Sequence, residues 1–87
     1  MRLTWLPDGW GDYLHWQKFD KKTPCRINGL IRDTMRDPFD GIGKPEPLKG
    51  NLSGWWSRRI TGEHRLVYRV DNDTLIVMQC LFHYDDR

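Results

Sequence analysis

His64-Arg65-Leu66-Val67-Tyr68-Arg69-Val70, then Asp71-Asn72-Asp73, then Thr74-Leu75-Ile76-Val77-Met78: this stretch decides the fold. In its first run Arg65, Val67 and Arg69 fall on one side of an extended chain, and Leu66, Tyr68 and Val70 on the other. The Asp-Asn-Asp run has turn chemistry. The last part opens a strand over residues 74–83, whose unbroken apolar run predicts cover on both faces and a central position in a sheet.

Working outward, residues 55–61 predict another strand, joined to residues 64–70 through the turn Thr61-Gly62-Glu63. Residues 38–54 hold seven Gly or Pro and predict a loop. Before it, Thr23 as N-cap and Pro24 at the first helical position open a helix. Ile27, Leu30, Ile31 and Thr34 form its apolar stripe, with Met35 beside them, and Arg26, Arg32, Asp33 and Arg36 lie outside it. Pro38 ends this helix by driving Asp37 out of the α region. An earlier helix runs from Asp8, a plausible N-cap, to about residue 19. Trp10, Tyr13, Leu14 and Gln17 share one of its faces, and Gly9 and Gly11 weaken its first turn. Residues 2–6 predict a first strand, stopped by Pro7. The order β-α-α-β-β-β defines an α+β domain: two N-terminal helices on one face of a mostly antiparallel, four- to five-stranded sheet.

At 87 residues the chain is expected to be a single domain, 1–87, with 85–87 a short C-terminal extension. The net charge of +2 is unevenly spread. Residues 41–70 hold six basic and two acidic side chains, whereas residues 71–87 hold one basic and four acidic. A polyanion-binding surface would concentrate charge in this way, and so would a solvated basic face. Cys25 and Cys80 have no metal-ligand spacing and read as reduced thiols that fill space. The first residues lack the apolar run of a signal peptide, and no stretch is apolar enough to span a bilayer. The expectation is a cytoplasmic protein with no membrane partner.

The basic stretch also carries chemistry. RNA can be cut without a metal if a base takes the 2′-hydroxyl proton, cations hold the phosphate, and an acid protonates the departing 5′-oxygen. Glu46, held between Pro45 and Pro47, is the candidate base. Arg65 can grip two phosphate oxygens at once, with Lys49 and Arg59 as further phosphate-binding cations. His83 is the candidate acid, because histidine ordinarily changes protonation near neutral pH. Tyr84 can orient or stack on the substrate. Arg58 and Arg69 read as surface charge or non-specific backbone contacts, and strand alternation prevents Arg58 and Arg59 from facing the same side. His15 and His64 read as exposed histidines, the latter at a strand start. Trp55 and Trp56 must face opposite ways, one of them into the core. Trp5, Trp10 and Trp16 are expected in helix–sheet packing or a dimer patch. No cofactor or metal is expected.

The run Gly43-Lys44-Pro45-Glu46-Pro47-Leu48-Lys49 resembles the YoeB (Txe) branch of the RelE-like bacterial toxins, as do Asn51-Leu52-Ser53-Gly54, Trp56-Ser57-Arg58-Arg59-Ile60-Thr61 and Glu63-His64-Arg65-Leu66-Val67-Tyr68. Trp10-Gly11-Asp12-Tyr13-Leu14 and Asp37-Pro38-Phe39 extend the resemblance to nearly the whole chain. It implies a compact RelE-like fold and a ribosome-dependent endoribonuclease that enters the ribosomal A site and cuts mRNA. The implied catalytic residues are Glu46, Arg65, His83 and Tyr84, with Lys49 and Arg59 behind them. It also implies a YefM/Phd-type antitoxin as partner, contact with operator DNA only through the antitoxin complex, and a homodimer. The alternative is a non-catalytic basic module that binds RNA or the ribosome and blocks translation without cutting. Many relatives end at the His-Tyr pair; here Asp85-Asp86-Arg87 follows and is expected to be a frayed tail of small effect.

Overall fold

The computed structural model describes the backbone of residues 1–86 and the side chains of residues 1–85. Its elements are β1 (Arg2–Trp5), α1 (Pro7–Phe19), α2 (Thr23–Arg36), β2 (Glu46–Pro47), β3 (Trp56–Arg59), β4 (Arg65–Asp71) and β5 (Thr74–Gln79). Short 3₁₀ turns occupy Gly50–Leu52 and Tyr84–Asp86. The five strands form one mixed sheet in the order β1-β5-β4-β3-β2, with β1 parallel to β5 and the other pairs antiparallel.

The α+β architecture is the one the sequence predicts, and the local differences have physical causes. The Gly- and Pro-rich stretch is not all loop, because Glu46 and Pro47 pair with Ser57 and Trp56. Pro47 is tolerated there because β2 is an edge strand with only one neighbour to satisfy. β5 is internal, as its apolar run predicts, but it stops at Gln79 instead of running on to His83. Side chains of α1 take over the next peptide groups: the Asp12 carboxylate accepts the Cys80 N–H at 3.0 Å, and the Trp16 indole donates to the Cys80 carbonyl at 2.7 Å.

Helix α1 starts at Pro7, so Asp8 lies in the first turn and does not cap it. Its buried face is Gly9, Asp12 and Trp16, not the Trp10–Tyr13–Leu14–Gln17 face; Trp10 and Leu14 are 46% and 44% exposed. Gly9 decides this rotation. A Cβ there would lie 2.7 Å from the Val77 carbonyl oxygen, so only glycine lets the helix sit this close to β5. Trp16 is in the core and Trp5 packs against it, whereas Trp10 stays outside, stacked on Tyr13.

Helix α2 buries Ile27, Leu30, Ile31 and Thr34, the predicted stripe. Thr23 is its first residue and Lys22 its N-cap, with Asp20 bracing the turn before it. The Asp20 carboxylate accepts the Thr23 hydroxyl at 2.6 Å and the Lys22 N–H at 2.8 Å, and these bonds lower its pKa. The two helices cover Ile60, Leu66, Tyr68, Leu75, Val77 and Cys80. Cys80 fills space there, whereas Cys25 is exposed.

The largest correction concerns Arg58. It is not surface charge: its side chain is completely buried. Five hydrogen bonds occupy its five N–H groups. Nε donates to the Tyr68 hydroxyl, Nη1 to the Asp33 carboxylate (2.7 Å) and the Ile42 carbonyl, and Nη2 to the carbonyls of Asp37 (2.6 Å) and Asp40. Tyr68 passes the network on by donating to the Pro38 carbonyl at 2.6 Å. Residues 37–42 are thereby wrapped around one guanidinium. Gly41, at φ +128°, is required in the wrap, since a Cβ there would run into the Asp33 carboxylate. The Ile42 N–H, then Arg36 and Arg58, hold the Asp33 carboxyl at about 2, below its ordinary value of 3.8.

Replacing Arg58 with Met strands the carbonyls of Asp37, Asp40 and Ile42 and takes one of its partners from the Asp33 carboxylate. Removing one partner of a buried ion pair costs about 3–5 kcal/mol, a large part of the roughly 5–15 kcal/mol that holds a domain together. The urea midpoint should fall accordingly. Because the folded pKa of Asp33 is depressed, its stabilisation is full above about pH 4 and lost as pH falls toward 2. Wild type and Asp33→Asn should therefore differ in urea midpoint at pH 6 and converge toward pH 2.

Candidate active site

Strand alternation sorts the cationic residues onto two faces. Arg58, Leu66 and Tyr68 point into the helix side of the sheet. Ser57, Arg59, Arg65, Val67 and Arg69 therefore point to the opposite, outer face. Register adds the rest: Glu46 is opposite Ser57, Ser57 opposite Val67, and Arg59 opposite Arg65. Glu46 and Arg65 are thus two strands apart and two residues out of line. At ~4.8 Å per strand and ~3.3 Å per residue their Cα atoms are roughly 12 Å apart. A glutamate and an arginine reaching from those points can meet around one phosphodiester.

The outer face is partly covered. Leu48 and Val67 are buried without belonging to the helix-side core. A cleft of about 350 Å³ opens there, lined by Glu46, Lys49, Asn51, Leu52, Tyr84 and Asp85 among others. Glu46 reaches it because Gly43, just beyond the loop held by Arg58, accepts the Arg59 N–H at 2.7 Å and so lays the chain along β3. Tyr84 reaches it from the other end of the chain. After β5 the backbone reverses at Phe82, whose φ is +60°, and the Phe82 carbonyl accepts the Arg65 N–H at 3.1 Å. His83 follows, with its ring 4.0 Å from that of Tyr84.

Glu46, Lys49 and Tyr84 therefore share one cleft. Arg59 and Arg65 form a cross-strand pair on the same face, and His83 lies beside Tyr84; these three do not line the cleft itself. Like charges directly opposite on a sheet destabilise it, by roughly 0.2–1 kcal/mol. No carboxylate among the described residues pairs with either arginine, and none of the cations pairs with Glu46. The Arg65 guanidinium is held from the side instead, with Nη1 donating to the carbonyls of Thr61 (2.8 Å), Gly62 and His64. Arg69 is engaged on the surface, lying over the Trp55 ring and 3.6 Å from Asp71. Trp56 packs on the opposite face against the core, so the two tryptophans diverge as alternation predicts.

Two participants were hidden from sequence reading. His64 is not a bland exposed histidine: its ring stands edge-on to Trp16 at 4.8 Å and accepts the Phe82 N–H at 2.7 Å. Nothing local signals a contact across 18 positions. Asp85 is not frayed either. It lies in the 3₁₀ turn, its N–H and carboxylate 3.2 and 3.4 Å from His83 Nδ1, and it lines the cleft. The Asp86 side chain and Arg87 lie outside the described residues.

A small α+β domain with a basic outer sheet face and, at its edge, a carboxylate unpaired among the described residues is the class that fold and site define. A family model described as the YoeB-like toxin of bacterial type II toxin–antitoxin systems matches residues 5–84. Toxin YoeB of Escherichia coli K12 is 60% identical over 84 residues, covering 97% of this chain and all of the relative. A YoeB/ParE toxin structure from Agrobacterium tumefaciens is 55% identical with a TM-score of 0.94, covering 97% of this chain and all of the other. The toxin chain of a heterotetrameric YoeB–YefM toxin–antitoxin complex from Staphylococcus aureus is 45% identical with a TM-score of 0.89, covering 97% and 98%. The chain belongs to the YoeB family of bacterial type II toxins.

Arg65→Met removes the Nη1 donor that the carbonyls of Thr61, Gly62 and His64 share. We expect a loss of about 1 kcal/mol, or roughly 4–8 °C in Tm for a domain of this size, measured by circular dichroism.

Proposed function

We propose that this toxin is an endoribonuclease that cuts mRNA in the ribosomal A site by acid–base transesterification. The observation that carries the reading is the outer face itself: two arginines paired across β3 and β4 and a carboxylate on the neighbouring strand, none paired with another protein charge among the described residues. A phosphodiester laid between Arg59 and Arg65 relieves their repulsion.

Glu46 then takes the proton of the 2′-hydroxyl, and the 2′-oxygen attacks phosphorus in line. Arg65, with Arg59 and Lys49, holds the charge that builds on the phosphoryl oxygens. His83 protonates the departing 5′-oxygen through Nε2, with Nδ1 turned to the Asp85 carboxylate at 3.4 Å. Tyr84, beside His83 and in the cleft with Glu46, orients the nucleotide. The products are a 2′,3′-cyclic phosphate and a free 5′-hydroxyl, and the sequence of steps is complete without a metal ion. Membership of the family implies that the ribosome, and not this small domain alone, splays the A-site codon and orients the 2′-hydroxyl. Such positioning is worth several kcal/mol.

The Staphylococcus aureus YoeB–YefM complex supports a YefM-type antitoxin as partner, and a YoeB dimer structure from the same organism supports a homodimer. In this reading the toxin acts in the cytoplasm and reaches operator DNA only through its antitoxin.

The test maps mRNA 5′ ends on translating ribosomes. Glu46→Gln should cut about 10²–10⁴-fold more slowly than wild type, and an mRNA with 2′-deoxy at the cleaved nucleotide should resist. Equal cutting of the deoxy substrate rules out the mechanism. Translation inhibition that survives both Glu46→Gln and His83→Gln makes the protein a non-catalytic basic module.

A further inference from the structure

Three observations about residues 64 and 82 have no part in the reading above. Phe82 adopts φ +60°, a left-handed conformation that L side chains other than Asn and Asp seldom take. Its own side chain is half exposed. What holds it is a clasp from the start of β4: His64 Nδ1 accepts the Phe82 N–H at 2.7 Å, and the next residue, Arg65, donates its N–H to the Phe82 carbonyl at 3.1 Å. The histidine is itself anchored, its ring edge-on to Trp16 at 4.8 Å and tilted on the Phe82 ring at 5.4 Å. Trp16 is buried and bonded to the Cys80 carbonyl, so the anchor is part of the core. An Nδ1 that accepts a backbone N–H carries no proton, which sets the ring as the Nε2–H tautomer.

We propose that His64 is a positioning residue for RNA cleavage: its Nδ1 clamps the left-handed Phe82 turn and so sets where His83 and Tyr84 stand relative to Arg65. Both ends of the clasp adjoin the site. Arg65 follows His64 directly, and His83 and Tyr84 follow Phe82. Without the acceptor the Phe82 peptide is free to rotate back to negative φ, and that rotation swings the two residues after it away from the arginine pair. The electrostatic groups remain, but the acid no longer meets the leaving oxygen. His64 touches neither substrate nor reacting atoms in this arrangement.

This inference deepens the nuclease reading and rests on it. The experiment compares His64→Asn and His64→Phe with wild type on programmed ribosomes. Asn places Oδ1 where Nδ1 stood and keeps an acceptor; Phe keeps a ring against Trp16 but has none. The maximal rate should fall at least about tenfold in His64→Phe, with the half-saturating ribosome concentration unchanged, and stay within about threefold in His64→Asn. Glycine takes positive φ freely, so in a Phe82→Gly background the cost of His64→Phe should shrink to about threefold or less. Equal rates in Asn and Phe variants, or a loss that Phe82→Gly does not relieve, overturn the proposal.

A wild type that leaves mRNA intact refutes the nuclease reading instead. The clasp is then judged on the free protein by NMR. A scalar coupling between the Phe82 amide nitrogen and His64 Nδ1, with His83 and Tyr84 ring signals displaced in His64→Phe but not in His64→Asn, upholds it. Ring signals that match wild type in both variants overturn it.

Discussion

Everything in this small domain is arranged around one buried cation. Moving a guanidinium out of water costs several kcal/mol unless each of its donors is matched, and Arg58 has five N–H groups to match. One carboxylate, one phenol and three backbone carbonyls do so. The carbonyls come from residues 37, 40 and 42, so satisfying Arg58 dictates the path of the loop that follows α2. A domain of this length has little apolar core to spare, and a Gly- and Pro-rich loop has no fold of its own. The cation gives that loop a single conformation.

The consequence for function is geometric. With residues 37–42 fixed on the helix side, Gly43 meets Arg59 and the chain can only continue along the free edge of β3, delivering Glu46 opposite Ser57. Tyr84 arrives at the same cleft from the far end, through the Phe82 turn. The base and the acid side of the proposed reaction are therefore carried by short, irregular segments, each tied to the rigid hairpin of β3 and β4 by backbone hydrogen bonds. Such segments can present side chains to a ribosome-bound substrate, while precision comes from the strands that tether them.

The two adjacent arginines show how one local pattern splits into two jobs. Arg58 and Arg59 differ by one step in a strand, and alternation sends one to each face. Alternation separated Leu66 and Tyr68 from Arg65 and Val67 within β4, but which of Arg58 and Arg59 shares their side depends on the register of β3 against β4, a tertiary contact. Arg58 therefore read as surface charge, and its partner Asp33 lies among the polar residues of α2, outside the apolar stripe. Gly9 teaches the same lesson for packing. It reads as a weak point of a helix, and its use appears only when β5 lies against it.

The sequence by itself determined the element types, the hairpin between β4 and β5, the apolar stripe of α2, the family and the residue types of the candidate site. These depend on periodicity, turn chemistry and motifs, which are local along the chain. Tertiary structure alone decided the extra strand at Glu46, the early end of β5, the rotation of α1, the burial of Arg58 and the bond from His64 to Phe82. Each of these is a contact between residues far apart in the chain, settled by close packing or by which polar groups still needed a partner once the core had formed.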